Sequence, residues 1–395
     1  TLVDRRRESG AETSFANGAQ LSYAYVAPLA APETLMKLPA LLLSPAAPIR
    51  LRPSLDPDLA RWGLKFLRAC TDRMVGETTR AQLALAAVSR AALHELACAQ
   101  ALEFGLRQAG KIILHRKPAS MEAARRQMRR QADASAGQSL LTPQETLALE
   151  PGLNLAADAF AGAVHTPSEE IGDCRRFCEE LTERMRRRNA ATLRLGAHVR
   201  GLVLRACKLR AVDTSQGEIE TDLVVLALGA EAGRFARTLG FPLPIYPMKG
   251  YSITARMKPG ARGLNGSVTD FDRKIVYAPL TDAGEPVTRV AGVADLVGHD
   301  ATIDRKRLAR MTAQAADMLA LDLEGDVQPW AGLRPATPDS RPIVGWSPAP
   351  GVFLNVGHGA LGWTLACGAA RLAADIVSGE APCVPAEWFS YARAV

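Results

Sequence analysis

Long apolar runs are scarce and none reads as reaching roughly 18 residues, so no membrane-spanning helix is predicted. The first apolar run, Leu38 to Ser44, is short and broken by Pro39. No basic segment leads into an apolar one near Thr1, so no secretory leader is read. Paired CxxC spacing is missing too. The seven cysteines (Cys70, Cys98, Cys174, Cys178, Cys207, Cys367 and Cys383) are odd in number and scattered, which argues against a disulfide framework or a metal site. Internal repeats and low-complexity tracts are also absent. What remains is ordinary globular composition: 395 residues, 48% hydrophobic and 23% charged. Disorder, collagen and coiled coil are excluded, and two or three lobes are expected.

The net charge is +7. Arginine carries it, in one cluster at Arg125, Arg126, Arg129 and Arg130 and another at Arg184 and Arg186 to Arg188. No zinc-finger or RNA-recognition signature accompanies them, so solvated helix faces are predicted and no nucleic-acid partner. Weak attraction to an anionic membrane surface is the remaining use of that charge.

Along the chain, Thr1 to Asp4 reads as a strand end, followed by a Gly/Ser/Ala-rich loop over residues 8–31. Apolar spacing predicts helices near 58–76, 79–107, 118–133, 173–188 and 303–320. Thr142-Pro143-Gln144-Glu145 carries the residues of a capped helix start. Leu223 to Leu228 is continuous apolar sequence, the pattern of a strand buried on both faces of a parallel sheet. Ser252 to Arg256, Ile275 to Pro279 and Arg289 to Val293 alternate as antiparallel strands do. Gly351 to Gly357 reads as a strand that turns through glycine into a helix ending near Ser378-Gly379.

Parallel pieces at the two ends and the middle, with mixed pieces between, predict an α/β protein of interleaved α+β lobes. One lobe is Rossmann-like; the other has a mixed, largely antiparallel sheet. The expected boundaries are 1–31, 142–235 and 328–395 for the dinucleotide lobe, and 32–141 and 236–327 for the covering lobe.

Several segments carry chemistry. An acidic residue ending a strand, such as Asp4, can accept ribose hydroxyls. The small, donor-rich loop Glu12 to Gln20 lets backbone amides approach a ligand closely. Gly229, after the strand ending at Leu228, can pass beneath a dinucleotide. Gly357 to Thr364 is a strand, glycine turn and helix start, whose free amides suit negative charge. Arg334, in GLRPATPDSRPIVG, can clamp a carboxylate with two hydrogen bonds.

Taken together, LVDRR, ETSFANGAQLSYAYVAPLAAP, EEIGDCRRF, IYPMKGYSIT, GLRPATPDSRPIVG and FLNVGHGALGWTLACG run in one order along the chain. They resemble the FAD-dependent D-amino-acid-oxidase superfamily, in particular its bacterial D-amino acid dehydrogenase branch of small-subunit type. The resemblance implies FAD as cofactor and no metal. It implies that Asp4 and Arg5 hold the adenosine end, and that Val199 packs at the adenine side. Thr13, Ser14, Asn17, Gly18 and Gln20 would line the pyrophosphate and flavin. Ala227 and Gly229 would pass beneath the dinucleotide. Gly332, Gly357, Leu361, Gly362, Trp363 and Thr364 would face the flavin. Arg334, Tyr251, Lys249 and His358 would form the catalytic pocket. Two departures stand out: the family's ANAGQ reads ANGAQ here, at Ala16 to Gln20, and its opening strand and GxGxxG turn are not found ahead of Leu2.

The activity implied is oxidative deamination of a D-amino acid to a 2-oxo acid and ammonia, with electrons leaving to a quinone or respiratory carrier. The alternatives are a glycine, sarcosine or hydroxyproline oxidase or dehydrogenase, or an inactive fragment completed by a partner chain that supplies a strand. The expected place is the cytoplasm, with peripheral contact at the inner face of the bacterial plasma membrane.

Overall fold

The computed structural model describes residues 1–24, 26, 28–35, 47–52, 54–130, 137–206 and 208–394. Cys207 and most of the Pro-rich stretch near Leu38 lie outside the described residues. The largest element is a nine-stranded sheet. Its order is Gln328–Ala336, Tyr246–Ala255, Glu285–Leu296, Ile275–Asp282, Ser267–Asp270, Lys111–His115, Gly162–Thr166 and Ser139–Leu141. The ninth strand, Ile49–Leu51, runs parallel to the end of Glu285–Leu296. Apart from that pair and Ser267–Asp270 with Lys111–His115, neighbours are antiparallel. All ten residues of Tyr246–Ala255 are buried, because this strand is covered on both faces. On one face lies the cluster of Tyr251, Ile253, Val290 and Met311; on the other, Met248 packs with Trp62 and Phe66 of the helix Pro57–Ala69.

The parallel strands form smaller pieces. Leu2–Asp4 pairs with Leu193–Leu195, and Val224–Leu226 pairs with Val352–Val356, which pairs antiparallel with Ile343–Trp346. Among the described residues, Leu2–Asp4 and Val224–Leu226 each have a strand partner on one side only. Val225 is 46% exposed, so this strand is not buried on both faces as its apolar run predicts. The helix Asp72–Gln100 lies along Gly362–Ser378 and buries Leu85, Ala86 and Leu93 against Leu365, Ala369 and Leu372. Gly359–Ser378 is, contrary to the reading above, long and apolar enough by composition to cross a membrane, and here it is a core helix.

The expected lobe boundaries shift in three places. Gln328–Ala336 and Gly162–Thr166 join the nine-stranded sheet, because their ladders pair with Tyr246–Ala255 and Lys111–His115. Asp72–Gln100 packs with the dinucleotide side, through its apolar face on the last long helix.

Candidate active site

The loop that follows Leu2–Asp4 crosses one face of the large sheet, strand by strand. Thr13 Oγ1 donates to Leu333 O at 2.9 Å, and Ser252 Oγ donates to Ala16 O at 2.8 Å. Arg289 Nη1 donates to Asn17 O at 3.2 Å, and Gln20 Nε2 donates to Thr269 Oγ1 at 3.2 Å. At the far end Lys111 Nζ reaches Ser22 Oγ at 2.6 Å. Glu169, 1% exposed, then accepts the backbone N–H groups of Tyr23 and Ala24, each at 2.8 Å. Ser14 sits by the Cys174 and Cys178 thiols. Gly18 rests against Val276 and Ala291.

Arg334 lies at the start of that crossing. In register it faces Met248, so its side chain shares a face with Gly250 and Ser252. Its guanidinium folds over Gly250, where a Cβ would sit 2.5 Å from Nη2, so a larger residue there would push the guanidinium aside. Next to it Trp330 folds over Gly332, whose Cβ would meet the indole at 1.8 Å. Arg334 donates to Val293 O at 3.2 Å. Burial lowers its pKa, and among the described residues no carboxylate pairs with it. A desolvated guanidinium without a counter-ion is a ready receptor for a carboxylate.

Lys249 and Tyr251 do not join it. Side chains alternate along a strand, so these two point through the opposite face. Tyr251 Oη donates to buried Asp295 at 2.9 Å, and its pKa is raised by burial and by that carboxylate. Lys249 donates to Thr302 O at 2.9 Å and pairs with Asp300 at 3.5 Å.

The dinucleotide turns lie at the carboxyl ends of paired parallel strands. Ala227 and Gly229 follow Val224–Leu226, and Gly229 has φ +53°. Gly357 (φ +78°) and Gly359 (φ +56°) follow Val352–Val356 and lead into the helix at Gly362. No side chain caps that helix start, so its first amides are left for a ligand. An isolated bridge between Ala336 and His358 holds this turn two residues beyond Arg334. His358 is half-buried, and burial lowers its pKa to about 4, leaving the ring neutral. Leu361 packs on the core, and Trp363 turns inward to donate to Gly172 O at 3.0 Å. Thr364 Oγ1 accepts Ser22 N–H at 3.0 Å, tying the helix start to the crossing loop.

Asp4 ends its strand, with Oδ1 accepting the Arg6 N–H at 2.7 Å. Arg5 and Arg6 both hold Glu12. Val199 opens a separate antiparallel meander, Val199–Arg205 with Lys208–Thr214 and Gly217–Glu220. Left-handed glycine turns and an uncapped helix start at parallel strand ends fit FAD. Asp4, Gly229, Gly357 and the amides from Gly362 would hold it there. When bound, FAD supplies two-electron oxidation.

Four contributors escaped the reading of the sequence: Gly250, Trp330, Ser252 and Arg289. Gly250 had a signal, as a glycine inside a strand pattern marks close approach. Gly357 to Gly362 also spells G-x-G-x-x-G between a strand and a helix. Ser252 and Arg289 had none, since their partners are backbone carbonyls of a distant loop.

Residues 1–376 match the family described as FAD dependent oxidoreductase, DAO. The chain is 42% identical to D-amino acid dehydrogenase 2 of Ralstonia nicotianae, over 100% of this chain and 94% of that protein. It is equally 42% identical to D-amino acid dehydrogenase 2 of Pseudomonas aeruginosa, over 97% and 90%. Among solved structures, glycine oxidase from Geobacillus kaustophilus shares the fold, with a TM-score of 0.73 at 20% identity over 99% of this chain and 91% of that one. With its parallel-strand glycine turns and unpaired arginine, the chain belongs to the DAO family of FAD-dependent oxidoreductases.

Proposed function

We propose that the chain oxidatively deaminates D-amino acids to 2-oxo acids and ammonia. The observation that carries this is Arg334, desolvated, without an acidic partner and held beside the glycine turn. Its fork binds the substrate carboxylate. Trp330 forms the adjoining wall, and the crossing loop fixes the distance between sheet and cofactor turn. No side chain is assigned as base: a substrate reacting as the free amine needs orientation more than proton removal. The imino acid product hydrolyses in water. Relatives named dehydrogenases support an acceptor other than oxygen, and a quinone or respiratory carrier fits that reading.

Adding D-alanine anaerobically to the flavin-loaded chain tests the reading. The visible flavin absorption should bleach. Bleaching by L-alanine or sarcosine in its place would overturn it.

The unpaired edges of Leu2–Asp4 and Val224–Leu226, with Leu2 and Val225 exposed, support completion of the cofactor sheet by a strand from a partner chain. A purified 395-residue chain with stoichiometric flavin would refute that. For location, the exposed Arg125, Arg126 and Arg129 support a cytoplasmic protein touching an anionic membrane surface. Co-sedimentation with anionic vesicles, compared with neutral ones, checks it.

A further inference from the structure

Trp330, Gly332 and Arg334 alternate along Gln328–Ala336, so all three belong to one face of the sheet. Gly332 pairs in register with Gly250 of the neighbouring strand. Such a pair stands about 5 Å apart, Cα to Cα. Each glycine is covered by a planar group from its own face. The Arg334 guanidinium lies over Gly250. The benzo ring of Trp330 lies over Gly332, with Cη2, Cζ2 and Cζ3 in the room a Cβ there would need. Fork and indole are therefore neighbours on a floor of two glycines.

The other directions away from Arg334 are occupied. Toward Ala336 the strand packs on both cofactor turns, Gly229–Glu231 and Gly359–Leu361. Across the strand, Met248 is buried with Trp62 and Phe66. The crossing loop is tied down at this end too, by Thr13 on Leu333 O and by Ser252, the register partner of Trp330, on Ala16 O. A ligand with its carboxylate on Arg334 and its α-carbon at the cofactor turns thus carries its side chain toward Gly332. Its β-carbon stands two bonds of about 1.5 Å from the carboxylate carbon. That places a methyl group at the seam between guanidinium and indole. Each further carbon meets the indole.

We propose that Trp330 determines substrate size: by filling the room above Gly332, it restricts the reaction to D-amino acids with short side chains. The inference deepens the deamination reading above and rests on it. A single methylene that a pocket has no room for changes kcat/KM by about 10- to 200-fold. A benzyl side chain in place of a methyl exceeds that by several carbons.

The test compares kcat/KM for D-phenylalanine and D-alanine in the flavin-loaded full chain, by dye reduction. The unaltered chain should favour D-alanine at least tenfold. Trp330→Leu and Trp330→Ala, which clear the room above Gly332, should each raise the D-phenylalanine to D-alanine ratio at least tenfold. An unaltered chain that takes both substrates equally overturns the proposal, whatever the variants do. A native ratio in both variants overturns it as well. If neither amino acid bleaches the flavin of the unaltered chain, the deamination reading fails instead. Binding alone then reads the role of Trp330. Phenylacetate and acetate, titrated against the flavin absorption, should show an affinity ratio at least tenfold more favourable to phenylacetate in Trp330→Leu than in the unaltered chain. Equal ratios there overturn the size role.

Discussion

Arg334 and Gly250 work as one unit. Arg334→Lys keeps a charge but loses the planar fork, and the shorter donor set cannot hold a carboxylate at two points. KM for D-alanine should rise at least tenfold, with kcat/KM down about a hundredfold, read by dye reduction. Gly250→Ala should do nearly the same without touching the charge, since the new Cβ would sit 2.5 Å from Nη2. Unaltered kinetics in Gly250→Ala would mean the guanidinium does not work where it lies. The exchange of ANAGQ for ANGAQ has a cost that can be located. Ala19 adopts φ +55°, and Gly18 does not adopt a left-handed conformation. Alanine there costs about 1 kcal/mol relative to glycine. At Gly18 a Cβ would meet Val276 at an ordinary 3.4 Å. Gly18→Ala with Ala19→Gly should therefore stabilise the fold by about 1 kcal/mol or more, measured by urea unfolding. At this scale Arg334 was legible because its motif is distinctive. Lys249 and Tyr251 misled because strand parity, not proximity in sequence, decides which face a side chain serves.

The crossing loop is the element that joins cofactor turn to substrate sheet. Thr13, Ser252 and Arg289 hold it by hydrogen bonds worth about 1 kcal/mol each. Glu169 holds it more strongly, as a buried carboxylate shared by two backbone N–H groups with Lys111 nearby. Glu169→Ala strands those donors and should cost about 3–5 kcal/mol. It should also raise proteolysis within residues 13–24; a loop as resistant as before would show that Glu169 is dispensable. Helices were the legible elements. Thr142 and Glu145 form the capping box their spacing predicts, and Gly379 ends its helix at φ +74°. The crossing itself was not legible, because each of its contacts joins residues between 145 and 342 positions apart, except the Lys111–Ser22 pair at 89.

Across the whole molecule, two neutral histidines bind the lobes to a pH range. His115 lies beside the helix Pro118–Arg130 and His358 in the cofactor turn, some 240 residues further along. Each has its pKa lowered by burial from 6.5 to about 4. Between those values the unfolded chain binds protons that the folded chain refuses, so stability falls as pH falls. The contribution is complete above about pH 6.5 and is lost progressively toward pH 4. Two and a half pH units correspond to about 3 kcal/mol per histidine, against a total stability of about 5–15 kcal/mol. Burial raises the pKa of Glu150 and Glu169, and these act in the opposite sense, favouring the fold at low pH and less as pH rises. The histidine effect therefore has to be isolated by difference. The melting temperature of the unaltered chain, followed from pH 7 to pH 4.5, should fall more steeply than that of the His115→Gln, His358→Gln double variant. Equal slopes would mean that the fold does not lower the pKa of either ring.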